Sequence, residues 1–117
     1  MEEIRKINNK EVEIIKYLAN KANYSIVSNI EQYLACPLTG EEYGSVILAS
    51  EASLLRESIK KREISNCMFY DIDNSPVAMY LLVSENDDIY ELDIWKCNGC
   101  KICHIPSLDS MQDIPTL

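Results

Sequence analysis

Three thiols and the only histidine of this chain fall within eight residues: Cys97, Cys100, Cys103 and His104. Cys-x-x-Cys with Asn98-Gly99 between the thiols can turn around a zinc ion, so a Cys3His ligand set is nominally present. Structural zinc sites usually take two ligands from each of two separate segments, and Cys67 is the candidate for a distant ligand. The spacing also resembles the bacterial iron–sulfur run of three cysteines, without its fourth Cys followed by Pro. Cys100 to His104 matches the c-type haem attachment pattern literally, a modification that needs export. Cys97 and Cys100 can be read as a redox pair, although no helix N-terminus is in place to lower a thiol pKa. The plainest reading is a reduced, cysteine-rich strand end and loop. The leading expectation is therefore no cofactor, with Zn as the alternative.

The second chemical feature is charge. The chain carries 19 acids against 11 Lys and Arg, a net −8, and the whole excess lies between Glu63 and Trp95. That segment holds Glu63, Asp71, Asp73, Glu85, Asp87, Asp88, Glu91 and Asp93 and no Lys or Arg. Such a field repels nucleic acid and anionic lipid and speeds encounter with basic surfaces. No glycine-rich phosphate loop is present, and Asp109 is the one acid near His104 in sequence, so a nucleophile triad would have to be assembled from distant parts. Asp71, Glu91 and Asp93 can in principle hold a hard cation or act as an acid/base pair, but a solvated acidic face is the commoner use of such residues. The expectation is a binder and not an enzyme.

With 117 residues, 47% of them apolar, and only three Gly and four Pro, the chain can bury one core. The N-terminal residues carry no apolar run, which predicts neither a secretory signal nor a membrane span and hence a cytoplasmic protein. Five cysteines without an export signal point to reduced thiols.

The elements that must position these residues follow from periodicity. Asn8 and Glu11 make a capping-box start for a helix with Val12, Ile15, Leu18, Ala19 and Ala22 at helical spacing, ending near Asn23. Tyr24 to Leu38 turns extended, with Pro37 disfavouring a central strand. Ser45 to Ala49 reads as a buried strand, and Ser50 caps a short second helix with Leu54, Leu55 and Ile59 on one face. Asp73-Asn74-Ser75-Pro76 and Glu85-Asn86-Asp87-Asp88 then divide three β-rich runs into a meander. Two-residue turns would pair 73 with 76 and 85 with 88. One face would carry Met68, Tyr70, Met79, Leu81, Leu92 and Ile94 towards the helices. The other would carry Cys67, Phe69, Asp71, Ala78, Tyr80, Leu82, Glu91, Asp93 and Trp95, with aromatic rings between carboxylates. The residues from Ile105 onward, with Pro106 and Pro115, read as an extended, flexible tail over 106–117.

Ile89-Tyr90-Glu91-Leu92-Asp93-Ile94-Trp95-Lys96, preceded by Phe69-Tyr70-Asp71-Ile72-Asp73-Asn74 and by Glu42-Tyr43-Gly44-Ser45, resembles a small bacterial family of unknown function that ends in a Glu-Leu-Asp-x-Trp-Lys strand. The resemblance covers the chain from the first helix to about Ile105 and implies no activity. In that family the residues after Trp-Lys form another apolar strand, whereas here three thiols and His104 follow, so any metal chemistry would belong to this chain alone. By size and pattern the chain is also similar to bacterial immunity proteins, single α+β domains that cover a toxin's active site.

Together these readings predict a single α+β domain over 1–117, with an N-terminal helix and a second short helix packed on a mostly antiparallel sheet of about five strands. They predict an interaction protein of the immunity type, holding a basic protein such as a toxin with Asp71, Tyr80, Glu91, Asp93 and Trp95, without nucleic acid or membrane. The alternative is a metal-binding or redox-responsive protein built on Cys97, Cys100, Cys103 and His104.

Overall fold

Asn8 starts the helix as the sequence requires. Its side chain accepts from the Glu11 amide at 2.8 Å, and the Glu11 carboxylate accepts from the Asn8 amide at 3.0 Å. This reciprocal cap contributes about 1 kcal/mol. Glu11 also takes a two-pronged ion pair from Arg5, at 2.8 and 2.7 Å, which ties the preceding segment to the helix start. In the computed structural model, which describes residues 3–55 and 60–115, helix α1 runs Asn9–Lys21 and buries Ile14, Ile15, Leu18 and Ala19. Asn23, with φ of 55°, turns the chain away just beyond it.

The strands are β1 (Arg5–Lys6), β2 (Leu34–Pro37), β3 (Val46–Ala49), β4 (Lys61–Tyr70), β5 (Pro76–Ser84) and β6 (Ile89–Lys96). They form one antiparallel sheet in the order β1-β2-β3-β6-β5-β4. The architecture is thus α+β. Among the described residues it has one α-helix and six strands in place of two helices and about five. The added strand is the two-residue β1, too short to leave a periodic signal. Around the expected second helix the described residues form only a 3-10 turn at Ala52–Leu54. Ile59 lies outside the described residues, and β4 begins at Lys61. Pro37 also departs from expectation, because β2 lies between β1 and β3. It is tolerated because β1 pairs only with Leu34 and Ala35, so nothing asks Pro37 for an amide on that side.

β3 lies in mid-sheet and β4 at the far edge. On one face Leu55 packs with Cys36, Ile47, Ala49 and Tyr90 in a small cluster. The main core lies on the other face, where α1 covers Cys67, Phe69, Val77, Met79, Leu81 and Leu92.

Both hairpins of the meander close on three-residue loops instead of two. The Asp71 amide donates to Ser75 O at 2.9 Å and the Ser84 amide to Asp88 O at 2.9 Å. The last loop residue in each is left-handed, Asn74 at φ 66° and Asp87 at φ 59°. Asn and Asp accept that conformation more readily than other non-glycine residues, and a type I turn followed by such a residue is a standard three-residue hairpin. In the first hairpin Tyr70 pairs with Pro76 and Phe69 with Val77, three positions from the expected register. An odd offset reverses the faces of β4, so Cys67 and Phe69 point into the core and Met68 and Tyr70 point away. In the second hairpin the offset is one, and a bulge between Leu82 and Val83 cancels it. From Leu82 onward the expected rows stand: Ala78 opposite Trp95, Tyr80 opposite Asp93 and Leu82 opposite Glu91.

Beyond β6, residues 97–106 fold back towards the β4–β5 turn. The following segment makes one backbone bridge to the outer edge of β4, between Met68 and Gln112.

Candidate functional site

Tyr80, Glu91, Asp93 and Trp95 share the sheet face opposite α1, but their surroundings differ. Trp95 is 58% exposed. It sits in a row with Met68 and Ala78, and the small Ala78 leaves the indole without a tall neighbour across the strand. Tyr70, in the next row, is 48% exposed, and Ile72 just past it is also exposed. Trp95, Tyr70 and Ile72 are thus exposed large side chains at the end of the sheet where β6 extends beyond β3. Tyr80 and Asp93 are half-buried. Asp93 accepts from the Ser45 hydroxyl at 2.7 Å, and the Ser45 oxygen in turn accepts from the Ile94 amide at 2.8 Å. Glu91 is buried and neutralised by Lys61, whose ammonium donates to it at 2.7 Å and stands 5.7 Å from the Tyr90 ring centre. The hydrogen bond to Glu91 raises the Lys61 pKa, burial opposing it.

Asp71 does not join that face. Its position just past the end of β4 reverses with that strand, and its side chain is 0% exposed at the core side of the turn. There it organises a buried polar knot. Oδ2 accepts from Lys96 Nζ at 2.9 Å and from the Cys103 amide at 2.8 Å; Oδ1 accepts from the Ile72 amide at 2.8 Å and is 2.7 Å from His104 Nδ1. Lys96, with a side chain 2% exposed, also meets Asp73 at 2.9 Å and Lys101 O at 3.1 Å. Burial works to raise the Asp71 carboxyl, but the Cys103 amide, Lys96, His104 and the Ile72 amide together hold it well below the carboxylate range. Asp71 and then Asp73 hold the Lys96 ammonium above its ordinary pKa.

This knot fixes residues 97–104. Asn98 donates to Ser75 Oγ at 2.8 Å and accepts from the Cys100 amide at 2.9 Å, while Gly99, at φ 71°, donates to Lys96 O at 3.0 Å. Cys97, Cys100 and Cys103 are exposed. His104 lies edge-on to Phe69, ring centres 6.0 Å apart. Cys67, the expected distant ligand, lies in the main core, and burial pushes its thiol up to about 11. Among the described residues no three His, Cys, Asp or Glu side chains are gathered closely enough to hold a metal ion.

Sequence reading missed the role of Lys96. The signal was available: in the β5–β6 register Lys96 falls opposite Val77 on the core face, and a lysine there needs an anionic partner.

The fold and the Glu91-Leu92-Asp93-Ile94-Trp95-Lys96 strand can be set beside known proteins. The model of a family described as a domain of unknown function, DUF6984, matches residues 4–106. The chain belongs to the DUF6984 family. The match spans β1 to the end of the thiol loop, so the Trp95 patch and the Asp71 knot both lie within the DUF6984 domain. No curated protein and no solved structure matches the chain. No helix among the described residues is long and apolar enough to cross a membrane.

Proposed function

We propose that this DUF6984 domain is a protein-interaction module that binds a basic partner through the open sheet face around Trp95. The observation that carries the reading is the exposed indole of Trp95, at the same end of the sheet as exposed Tyr70 and Ile72, on a chain of net charge −8. Large aromatic side chains at the centre of a patch act as anchors, and surrounding charge sets encounter rate and partner choice. Asp71 and Glu91 are withdrawn from the proposed contact set, since each is already paired with a lysine, Asp71 with buried Lys96 and Glu91 with Lys61. Trp95, Tyr80, Asp93 and Tyr70 remain.

Within this reading the domain works in the reducing cytoplasm and the partner is a basic protein. An immunity protein blocking a basic toxin is the specific form considered, and it rests on chain size and charge alone. The test is a pull-down with the purified protein at low and moderate salt, with mass spectrometry of what is retained. A single basic protein, lost as salt rises and lost with Trp95→Ala, supports the proposal. Retention insensitive to salt, to Trp95→Ala and to Asp93→Lys refutes it.

A further inference from the structure

We infer that Trp95, Asp93 and Tyr80 seat one arginine side chain of the partner protein, whose guanidinium lies against the aromatic rings and donates to the Asp93 carboxylate. The seat rests on the reading of this face as the surface for a basic protein, and it names the side chain that the face selects.

The register brings these residues to one corner of the sheet. Tyr80 on β5 stands directly opposite Asp93 on β6, and Ala78 stands opposite Trp95 in the neighbouring row of the same face. Directly opposed side chains start about 5 Å apart, and next-but-one or diagonal neighbours about 7 Å apart. One planar cation can therefore touch all three. Ala78, the fourth member of the square, offers only a methyl group, so it puts no tall side chain between the other three. Trp95 supplies the exposed ring face, at 58% exposure.

The charge at this corner is held in place and not spent. Of the acids in the meander, Asp71 and Asp73 pair with Lys96, Glu85 with Lys60, Asp87 with Arg62 and Glu91 with Lys61. Among the described residues Asp93 has no such ion pair. Lys61 feels its charge, but the Lys61 ammonium donates to Glu91 at 2.7 Å. The Ser45 hydroxyl donates to Asp93 Oδ1 at 2.7 Å, and Ser45 is itself fixed by the Ile94 amide at 2.8 Å. Oδ2 takes no hydrogen bond from the described residues, so a carboxylate already oriented by Ser45 keeps an oxygen for an incoming donor.

This combination favours arginine over lysine. A guanidinium is weakly hydrated and planar, so it can stack on an indole while its edge donates to a carboxylate. A lysine ammonium is a compact, strongly hydrated charge that gains less from the ring face and loses more water on reaching it. A net charge of −8 turns away polyanions that might offer a flat ring to Trp95, which leaves a basic protein as the source of the cation.

The experiment uses the full chain with capped hexa-arginine and hexa-lysine peptides, which carry equal charge and so share the same long-range attraction. Trp95 is the single tryptophan of the chain, so its emission reports on this corner alone. Anisotropy of dye-labelled peptides gives affinities for every variant. Hexa-arginine should bind about tenfold tighter than hexa-lysine and alter the Trp95 emission. Asp93→Asn keeps an oxygen for the Ser45 hydroxyl but removes the charge, and Trp95→Leu removes the ring. Each should reduce the preference to about twofold or less, as should Ala78→Leu by filling the corner. Circular dichroism of the three variants confirms that the fold is retained. Equal binding of the two peptides, an arginine preference unchanged in all three folded variants, or hexa-arginine binding without a change in Trp95 emission would overturn the seat. Binding of neither peptide overturns it as well. The pull-down separately decides whether the face holds a basic protein through other contacts, so the arginine seat can fail while that reading stands.

Discussion

The register of β4 makes Phe69 and Tyr70 unequal in a way that a denaturation experiment can read. Phe69 is 0% exposed in the main core, against Val77 across the strand and the edge of His104. Tyr70 is 48% exposed on the other face. Phe69→Ala should therefore cost about 3 to 5 kcal/mol, the sum of lost burial and a cavity that the surrounding Met79 and Val77 cannot fill. Tyr70→Ala should stay within about 1 kcal/mol, because about half of the side chain remains in water and no enclosed cavity is left. For a domain whose whole stability is about 5 to 15 kcal/mol, the first change removes a large share. With a urea slope of about 1 to 3 kcal/mol per molar, it should lower the midpoint by on the order of 2 M, against a few tenths for Tyr70→Ala. Two-residue turns would reverse the faces and so reverse the two costs. Equal midpoint shifts, or a larger one for Tyr70→Ala, would refute the three-residue loop and the placement of Asp71 that depends on it.

Three further outcomes follow from named contacts. Asp71 titrates below its ordinary 3.8 in the folded chain, so its stabilising contribution is complete above about pH 4 and is lost as pH falls towards the lowered value. Urea midpoints between pH 2 and 7 should show this acid limb, and Asp71→Asn should flatten it while lowering stability at neutral pH by unpairing Lys96. Trp95→Ala should leave thermal stability within about 0.5 kcal/mol and weaken binding to the captured partner by about 2 kcal/mol, roughly 30-fold, in calorimetry. Removing residues from 107 onward deletes the Met68–Gln112 backbone pair, at 2.8 and 2.9 Å, and the Lys21–Asp113 ion pair. Stability should fall by about 1 to 3 kcal/mol, and size-exclusion chromatography should show concentration-dependent association through the uncovered β4 edge.

The α1 cap, the buried β3 and the meander were legible because each is local. Asn8 and Glu11 lie three residues apart, Val46 to Ala49 are continuous apolar residues, and Asp73-Asn74 and Asn86-Asp87 announce turns within four positions. The β5–β6 register was legible as well, since a turn one residue longer and the bulge at Leu82 and Val83 offset one another. Trp95 and Tyr80 thus stand on the expected face, while the composition of β4 permits either of its two sides to be buried.

The sequence by itself determined an α+β domain, its acid-rich meander, and a thiol cluster following a Trp-Lys strand end. Only the tertiary structure decided which carboxylates remain available. Asp71 and Glu91 look like surface acids in the chain, yet Lys96 and Lys61 reach them from 25 and 30 residues away and remove their charge from the partner-facing count. The reason is physical: a side chain's face depends on strand parity, which one extra turn residue reverses, and its charge depends on partners that only the closed sheet brings within 3 Å.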